Sequence, residues 1–372
     1  MYFKLSKQAF FNSLSIASRA ISSFSPLPAF SGIKIEAKED RLTLTGSDSD
    51  ISIQTSILKS DEDSLVINDK GSIVIESKYI LEIVRKIDSE HLEFEVIDGS
   101  LTKICGETAE FKINGMKASE YPMIDFTCPS EKFEMSAETL KHIISQTSFA
   151  TSVSETRPVL TGVNFNCADK LLQCVGTDSY RLAKKTIELE NDCKFNITVP
   201  SRNLAEVAKT LDLNEMTVVA VSDKKVQFII DNTIIQTRLI DGVYPDTSRL
   251  IPLEFAHELV IDAQELIGAI DRASFIKNDG VSVIKLSLSQ NECVLSTRSQ
   301  EVGSSIEKLK NAQYVGDKLE ISFNGRYVFE ALKAIQKGSV RFSFGGEMKP
   351  FIIQSIEDKT ALQLVLPVRT YA

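Results

Sequence analysis

Lys78, Arg202 and Arg326 stand 124 residues apart, and so do Arg85, Lys209 and Lys333. Lysine and arginine keep their positive charge at neutral pH, so six such residues are suited to holding anions, phosphates above all. Within each third the two cations are seven residues apart, which on an α-helix is one face. Glu82, Glu206 and Glu330 recur at the same period and share that face. Any one of these helices therefore reads as an ion-paired, solvated surface. The threefold repetition points further, to one extended anionic partner met by three equivalent helices.

Other chemistry finds no constellation to carry it. The chain has no GxGxxG, GxxxxGK[ST], HExxH or GxSxG string. His91, His142 and His257 are far apart and do not recur in the repeat. Asp48-Ser49-Asp50 has the look of a metal-binding DxD, but Gly46-Ser47-Asp48 lies between two strand patterns and reads as a hairpin turn, as does Gly176-Thr177-Asp178. Cys105, Cys128, Cys167, Cys174, Cys193 and Cys293 form no CxxC pair and have no histidine nearby, which predicts buried free thiols rather than a zinc site or disulfides. No catalytic residue, metal or cofactor is expected.

The elements that must position the cations repeat with them. Ile80 superposes on Leu204 and Val328, Val84 on Ala208 and Leu332, Ile87 on Leu211 and Ile335, Leu92 on Met216 and Val340, and Phe94 on Val218 and Phe342. A long fixed period sets the architecture, and 372 residues exceed the size of one core, so three domains are expected, 1–127, 128–252 and 253–372. Tyr121-Pro122 and Tyr244-Pro245 mark the ends of the first two.

Within each third the pattern is strand, helix, several strands, written twice. In the first, Ser6 caps a helix carrying Phe10, Leu14, Ala17 and Ile21, and Ser77 caps one carrying Ile80, Ile83, Val84 and Ile87. Phe3, Leu5, Ser6 and Phe10 return 130 residues later as Phe133, Met135, Ser136 and Leu140. The fold class is α+β, with helices on one face of curved antiparallel sheets. Complementary open edges would close with a second copy, leaving the cationic helices turned inward. The net charge of −9 confines any anion-binding surface to a local patch. No apolar stretch reaches the length of a membrane span and the start lacks a signal-like apolar run, which predicts a cytoplasmic protein.

Several strings in order then resemble the bacterial sliding clamps, the beta subunits of DNA polymerase III. They are Arg157-Pro158-Val159-Leu160-Thr161-Gly162-Val163, Gly176-Thr177-Asp178-Ser179-Tyr180-Arg181-Leu182, Val199-Pro200-Ser201-Arg202, Asp241-Gly242-Val243-Tyr244-Pro245-Asp246, Phe323-Asn324 with Tyr327, and Leu366-Pro367-Val368-Arg369. The resemblance implies a DNA clamp fold and a homodimeric ring around double-stranded DNA, bound without regard to sequence. Such a ring is a non-catalytic processivity factor tethering the replicative polymerase. The implied partners are the polymerase III alpha subunit, the clamp-loader complex, and other polymerases and repair proteins that carry short peptide motifs.

The family's peptide pocket maps here to Leu160, Thr177, Tyr180, Arg181, Leu182, Pro245, Arg249, Leu250, Asn324, Tyr327, Met348, Pro350, Leu364, Val365, Leu366, Pro367, Val368 and Arg369. The dimer contact maps to Phe111 and Ile113 at one end and Phe275 and Ile276 at the other. The chain departs from the family at Ser179-Tyr180, where Gly-His is common, and at Leu366 and Val368, where Met is common. Ser22-Ser23-Phe24-Ser25 lacks the basic residue often found there for DNA contact, and Thr370-Tyr371-Ala372 runs past the usual end. The alternative reading is a peptide-binding scaffold that never surrounds DNA.

Overall fold

The computed structural model describes residues 1–22, 27–59, 64–277 and 279–369. Ser23–Ser25 and Thr370–Ala372 therefore lie outside the described residues. The first repeat runs Tyr2–Ser6, α1 (Lys7–Ser18), Gly32–Ala37, Arg41–Ser47, Ile51–Leu58, then Gly71–Glu76, α2 (Ser77–Lys86), His91–Asp98, Leu101–Cys105 and Glu110–Asn114. The second runs Glu131–Ser136, α3 (Ala137–Thr147), Gly162–Ala168, Leu171–Thr177, Arg181–Glu188, then Phe195–Pro200, α4 (Ser201–Thr210), Met216–Val221, Lys225–Ile230 and Thr233–Arg238. The third runs His257–Asp262, α5 (Ala263–Ala273), Val283–Leu288, Cys293–Ser299, Gly303–Lys308, then Leu319–Asn324, α6 (Gly325–Ile335), Ser339–Phe344, Phe351–Ser355 and Ala361–Val365. Short strands at Val66–Asp69, Met116–Lys117 and Gln313–Val315 were not signalled by the periodicity.

The chain divides into two compact units, Met1–Leu140 with Ala205–Leu239 and Lys141–Leu204 with Ile240–Ala372. These units do not coincide with the thirds, because each holds a nine-stranded antiparallel sheet built from two successive repeats. In the first unit Ile51–Leu58 pairs with Thr233–Arg238. In the second Arg181–Glu188 pairs with Ala361–Val365. We call these pairings the first and second seams. The first unit also holds a five-stranded sheet ending at Glu110–Asn114, and the second a four-stranded sheet ending at Gly303–Lys308.

In the first unit α1 and α2 share one core with both sheets, through Phe10, Leu14, Ile80 and Val84 against Phe3, Phe94, Ile33 and Leu44. Phe3 stacks on Phe94 with ring centroids 4.7 Å apart. Truncating a buried phenylalanine such as Phe94 to alanine would cost about 3–5 kcal/mol. In the second unit α5 and α6 share the corresponding core, with Leu266, Ile270, Val328 and Leu332 against Phe323, Phe342 and Phe351. Gly46 and Gly176 are required by close approach. A Cβ on Gly46 would lie 2.1 Å from the Ala17 carbonyl oxygen, and one on Gly176 would lie 2.4 Å from that of Thr147.

Two sequence expectations are corrected. Ser77 is the first helical residue of α2 and the capping position is Glu76, which makes no side-chain capping bond. Ser6 does cap α1, accepting from the Ala9 amide. The strand Met216–Val221 is offset by one residue from the 124-residue register. Phe133 pairs with Val219 as Phe3 pairs with Phe94. One extra residue between α4 and this strand flips the face of every side chain in it. Met216 is therefore exposed, and Thr217 and Val219 hold the buried positions assigned to Met216 and Val218. Of the cysteines, Cys167, Cys174, Cys193 and Cys293 are buried as expected, whereas Cys105 is half-buried and Cys128 exposed. No helix among the described residues is long and apolar enough to cross a membrane.

Candidate functional site

The helices hold their cations outward because the apolar stripe on the opposite side is consumed by the core. Ile80, Leu204 and Val328 are fully buried at equivalent positions. Lys78, Arg202 and Arg326 are exposed two residues before them, and Arg85, Lys209 and Lys333 one turn and more beyond. The superposed glutamates engage these cations. Arg85 pairs with Glu82 at 2.7 Å, Lys209 with Glu206 at 2.7 Å, and Arg326 with Glu330 at 2.8 Å. Lys78 pairs instead with Glu76 at 2.6 Å, and Lys333 lies 4.5 Å from the Phe329 ring centroid. The hydrogen bond from Lys78 to Glu76 raises the lysine pKa, and the one from Arg326 to Glu330 does the same for Arg326. Exposed pairs of this kind contribute about 0–1 kcal/mol. A phosphate can therefore compete for such cations at little cost.

A second constellation lies wholly in the second unit, at the second seam. Val175, Leu182 and Leu364 form a small apolar cluster, with Tyr244, Ile251, Leu362 and Leu366 packed on it. The hairpin before the seam is an aspartate-closed turn. Thr177 Oγ1 donates to the Arg181 carbonyl at 2.6 Å, and Asp178 Oδ1 accepts from the amides of Tyr180 and Arg181 at 2.9 and 3.0 Å. Ser179 takes φ 77°, the left-handed conformation that such turns tolerate. The chain after Ala361–Val365 continues alongside: the Leu366 amide donates to the Tyr180 carbonyl and the Val368 amide to the Ser322 carbonyl.

The eighteen residues expected to line one groove divide by burial. Leu160, Thr177, Arg181, Leu182, Leu364 and Val365 are buried. Asn324, Tyr327, Pro350, Leu366, Pro367 and Val368 are half-buried, and Tyr180, Pro245, Arg249, Leu250, Met348 and Arg369 are exposed. Of the buried six, Leu182 and Leu364 belong to the small apolar cluster, whereas Val365 faces the other side of the sheet and is part of the core under α5 and α6. An apolar patch with an accessible polar border is the usual layout for capturing a peptide side chain. Arg181 stands apart from the rim, because its guanidinium is already spent on protein. It donates to Asp178 Oδ2 at 3.0 Å, to Glu330 Oε2 and to the Phe149 carbonyl, and it lies 4.5 Å from the Tyr327 ring. Sequence reasoning placed Glu330 only on the helix surface. Its second role depends on a contact 149 residues away in the chain, for which no local signal exists.

At the sheet edges, Phe111 is 37% exposed and Ile113 half-buried on Glu110–Asn114. Phe275 is 67% exposed but Ile276 only 2%. Ile276 is thus a core residue, and of that pair Phe275 alone offers a surface. The edge strand Gly303–Lys308 was not singled out from the sequence. Its signal lay in the repeat, since it occupies the position of Ile51–Leu58 and Arg181–Glu188 in the third copy.

Family models of the DNA polymerase III beta subunit match nearly the whole length: the N-terminal domain over residues 1–125, the central domain over 134–246 and the C-terminal domain over 248–369. The beta sliding clamp of Bacillus subtilis is 39% identical over 378 residues, covering all of both chains. That of Staphylococcus aureus is 38% identical over 376 residues with the same coverage. The crystal structure of the DNA polymerase sliding clamp from Bacillus subtilis superposes with a TM-score of 0.95 over 100% of each chain.

Proposed function

We infer the working of this chain from its family: it belongs to the DNA polymerase III beta subunits, the bacterial beta sliding clamps, which are three-domain, non-catalytic processivity factors. We propose that two copies close head to tail into a ring around duplex DNA, in the cytoplasm, with domain boundaries at 1–127, 128–252 and 253–372. The observation that carries this is the unfilled third seam. In the first two repeats the last strand of the first half, Ile51–Leu58 or Arg181–Glu188, pairs with the last strand of the next repeat. The equivalent strand of the third repeat, Gly303–Lys308, and the last strand of the first, Glu110–Asn114, are both sheet edges. A second copy can supply Glu110–Asn114 to Gly303–Lys308 in the same order, and the exchange is reciprocal, as a closed dimer requires.

Carrying the register of the first two seams over places Ser305 opposite the partner copy's Phe111. Ser305 occupies the position of Ile53 and Ala183, and Phe111 that of Ile235 and Gln363, pairs that face each other in the first two seams. Phe111 and Ile113, with Phe275 and the exposed Ile306 of the facing strand, would then form the apolar part of the contact. Lys78, Arg85, Arg202, Lys209, Arg326 and Lys333 would meet phosphates. Weak, salt-screened contacts without base readout let a ring slide.

The groove at the second seam is the docking site for short peptide segments of the polymerase III alpha subunit, the clamp loader, other polymerases and repair proteins. Light scattering on the purified protein tests the ring first, and a mass near twice 41.3 kDa is expected. The triple reversal Lys78→Glu, Arg202→Glu, Arg326→Glu should then abolish duplex binding while leaving that mass unchanged. Unchanged duplex binding would favour the scaffold reading. Titration with fluorescein-labelled peptides tiling the alpha subunit tests the groove, with binding expected to vanish when Leu366–Arg369 are removed.

A further inference from the structure

Glu330 lies on α6 between two arginines in opposite surroundings. Its Oε1 accepts from Arg326 Nε at 2.8 Å and its Oε2 accepts from Arg181 Nη1. The Arg326 side chain is 75% exposed and that of Arg181 only 8%. One carboxylate is therefore shared between a solvent-facing cation on the helix surface and a buried cation behind the groove. Arg181 in turn holds Asp178 Oδ2 at 3.0 Å and lies 4.5 Å from the Tyr327 ring. Burial opposes ionisation of Glu330, yet the hydrogen bonds from Arg181 and Arg326 hold its carboxyl below the usual range, so it stays charged at neutral pH. The carboxylate thus links the two arginines.

Resting on the reading above, in which Arg326 meets the duplex and Tyr327 borders the peptide groove, we propose that Glu330 is a positioning residue coupling the two sites. The two states are simple. In the free ring Arg326 and Arg181 divide the carboxylate. With Arg326 drawn to a phosphate, both oxygens are left to Arg181, and a bidentate guanidinium–carboxylate pair is stronger and better defined than a shared one. Arg181 and the Tyr327 ring against it are then fixed, so the peptide meets a wall already in its bound arrangement and is held more tightly. By linkage, a peptide in the groove tightens the hold on the duplex by the same factor.

The test uses the full-length dimer, the best-binding fluorescein-labelled alpha-subunit peptide of the titration above, and a short blunt duplex at low salt. Anisotropy gives the peptide Kd alone and with saturating duplex. A gain of about fivefold is expected, at the lower end of measured couplings. In Glu330→Gln the peptide and the duplex should each still bind and the gain should fall to one. A merely structural glutamate would shift both Kd values together and leave their ratio intact. Glu330→Asp should restore part of the gain. If Glu330→Gln melts early by circular dichroism, Arg326→Gln on the exposed face replaces it and should show no gain at duplex concentrations that saturate it. A gain retained in these variants overturns the proposal, as does a wild-type ratio of one or below. A wild type that binds no peptide sinks the groove reading and the coupling with it. One that binds peptide but no duplex sinks the ring reading instead.

Discussion

The two seams share a backbone and differ in almost every side chain that matters. Before the first, Ser47 Oγ donates to the Ile51 carbonyl and Asp48 Oδ1 accepts from the amides of Asp50 and Ile51. Before the second, Thr177 and Asp178 make the same bonds to residues 130 further on. Ser49 and Ser179 have φ of 84° and 77°. Beyond the turn the chemistry parts. Where the second seam sets Arg181, Leu182, Leu364 and Leu366, the first sets Ile51, Ser52, Gln236 and Arg238. The cavity at the first seam, about 490 Å³, is lined by Ser52, Gln236 and Arg238 and also by Leu27, Phe30 and Met123, and its Ser52–Gln236 pair stands where the second seam has Leu182 and Leu364. The comparison teaches that the repeat supplies the frame twice while the apolar cluster of Leu182 and Leu364 is written once, in side chains that the frame does not dictate.

That contrast can be broken in graded ways. The largest effect is expected from Leu366→Asp, which puts a charge beside the apolar floor and should weaken peptide binding on the order of 100-fold, about 2.7 kcal/mol. Arg238→Asp, the matching change at the first seam, should alter it less than about twofold. Fluorescence titration of both variants compares them directly.

Next comes Arg181→Ile, which imports the first seam's residue. It strands Glu330 and Asp178 and should destabilise by about 3 kcal/mol in urea unfolding. Adding Glu330→Gln should recover at least about 1 kcal/mol of that, because the two changes touch one network.

Acid should separate the seams more gently. Burial opposes ionisation of Asp358, but hydrogen bonds from Lys185 and Thr360 outweigh it and hold its pKa at about 2. A depressed carboxyl stabilises above its unfolded pKa, near 4, and that contribution is lost as pH falls from about 4 to about 2. Asp358→Asn should therefore flatten the loss of melting temperature over that window. At the first seam Asp125, held at about 2 by bonds from Thr127 and Lys225, is fully exposed, and Asp125→Asn should change the profile less. The smallest effect belongs to the shared turn, where Ser47→Ala and Thr177→Val should each cost about 1 kcal/mol and match within about 0.5. A clear inequality would show that the turns are not equivalent.

Much of this was legible before the fold was seen. The strands, the six helices and the exposure of the cations on the helix face opposite the core follow from apolar periodicity, which depends on local spacing. The register failed in the strand Met216–Val221, where one added residue exchanges the faces and leaves no trace in composition. The groove we propose was legible only through resemblance. Leu182 and Leu364 read as ordinary buried strand residues, and what makes them a floor is a pairing 182 positions long in sequence separation. Arg181 and Ile276 illustrate the limit from the other side. Their types suit a rim and a contact, and burial shows one to be a clasp and the other core.

The central claim is topological, and a covalent ring tests it most directly. Ser305→Cys with Phe111→Cys, in a Cys128→Ser background to remove the exposed thiol, should let each seam between copies close by a disulfide, since paired strands hold Cα atoms within the bridgeable range. Oxidised in the presence of a nicked circular duplex, the protein should form a species that survives denaturing detergent and is released by a reductant or by cutting the circle. Failure to form that species despite efficient cross-linking, or equal retention on linear and circular DNA, would contradict the account.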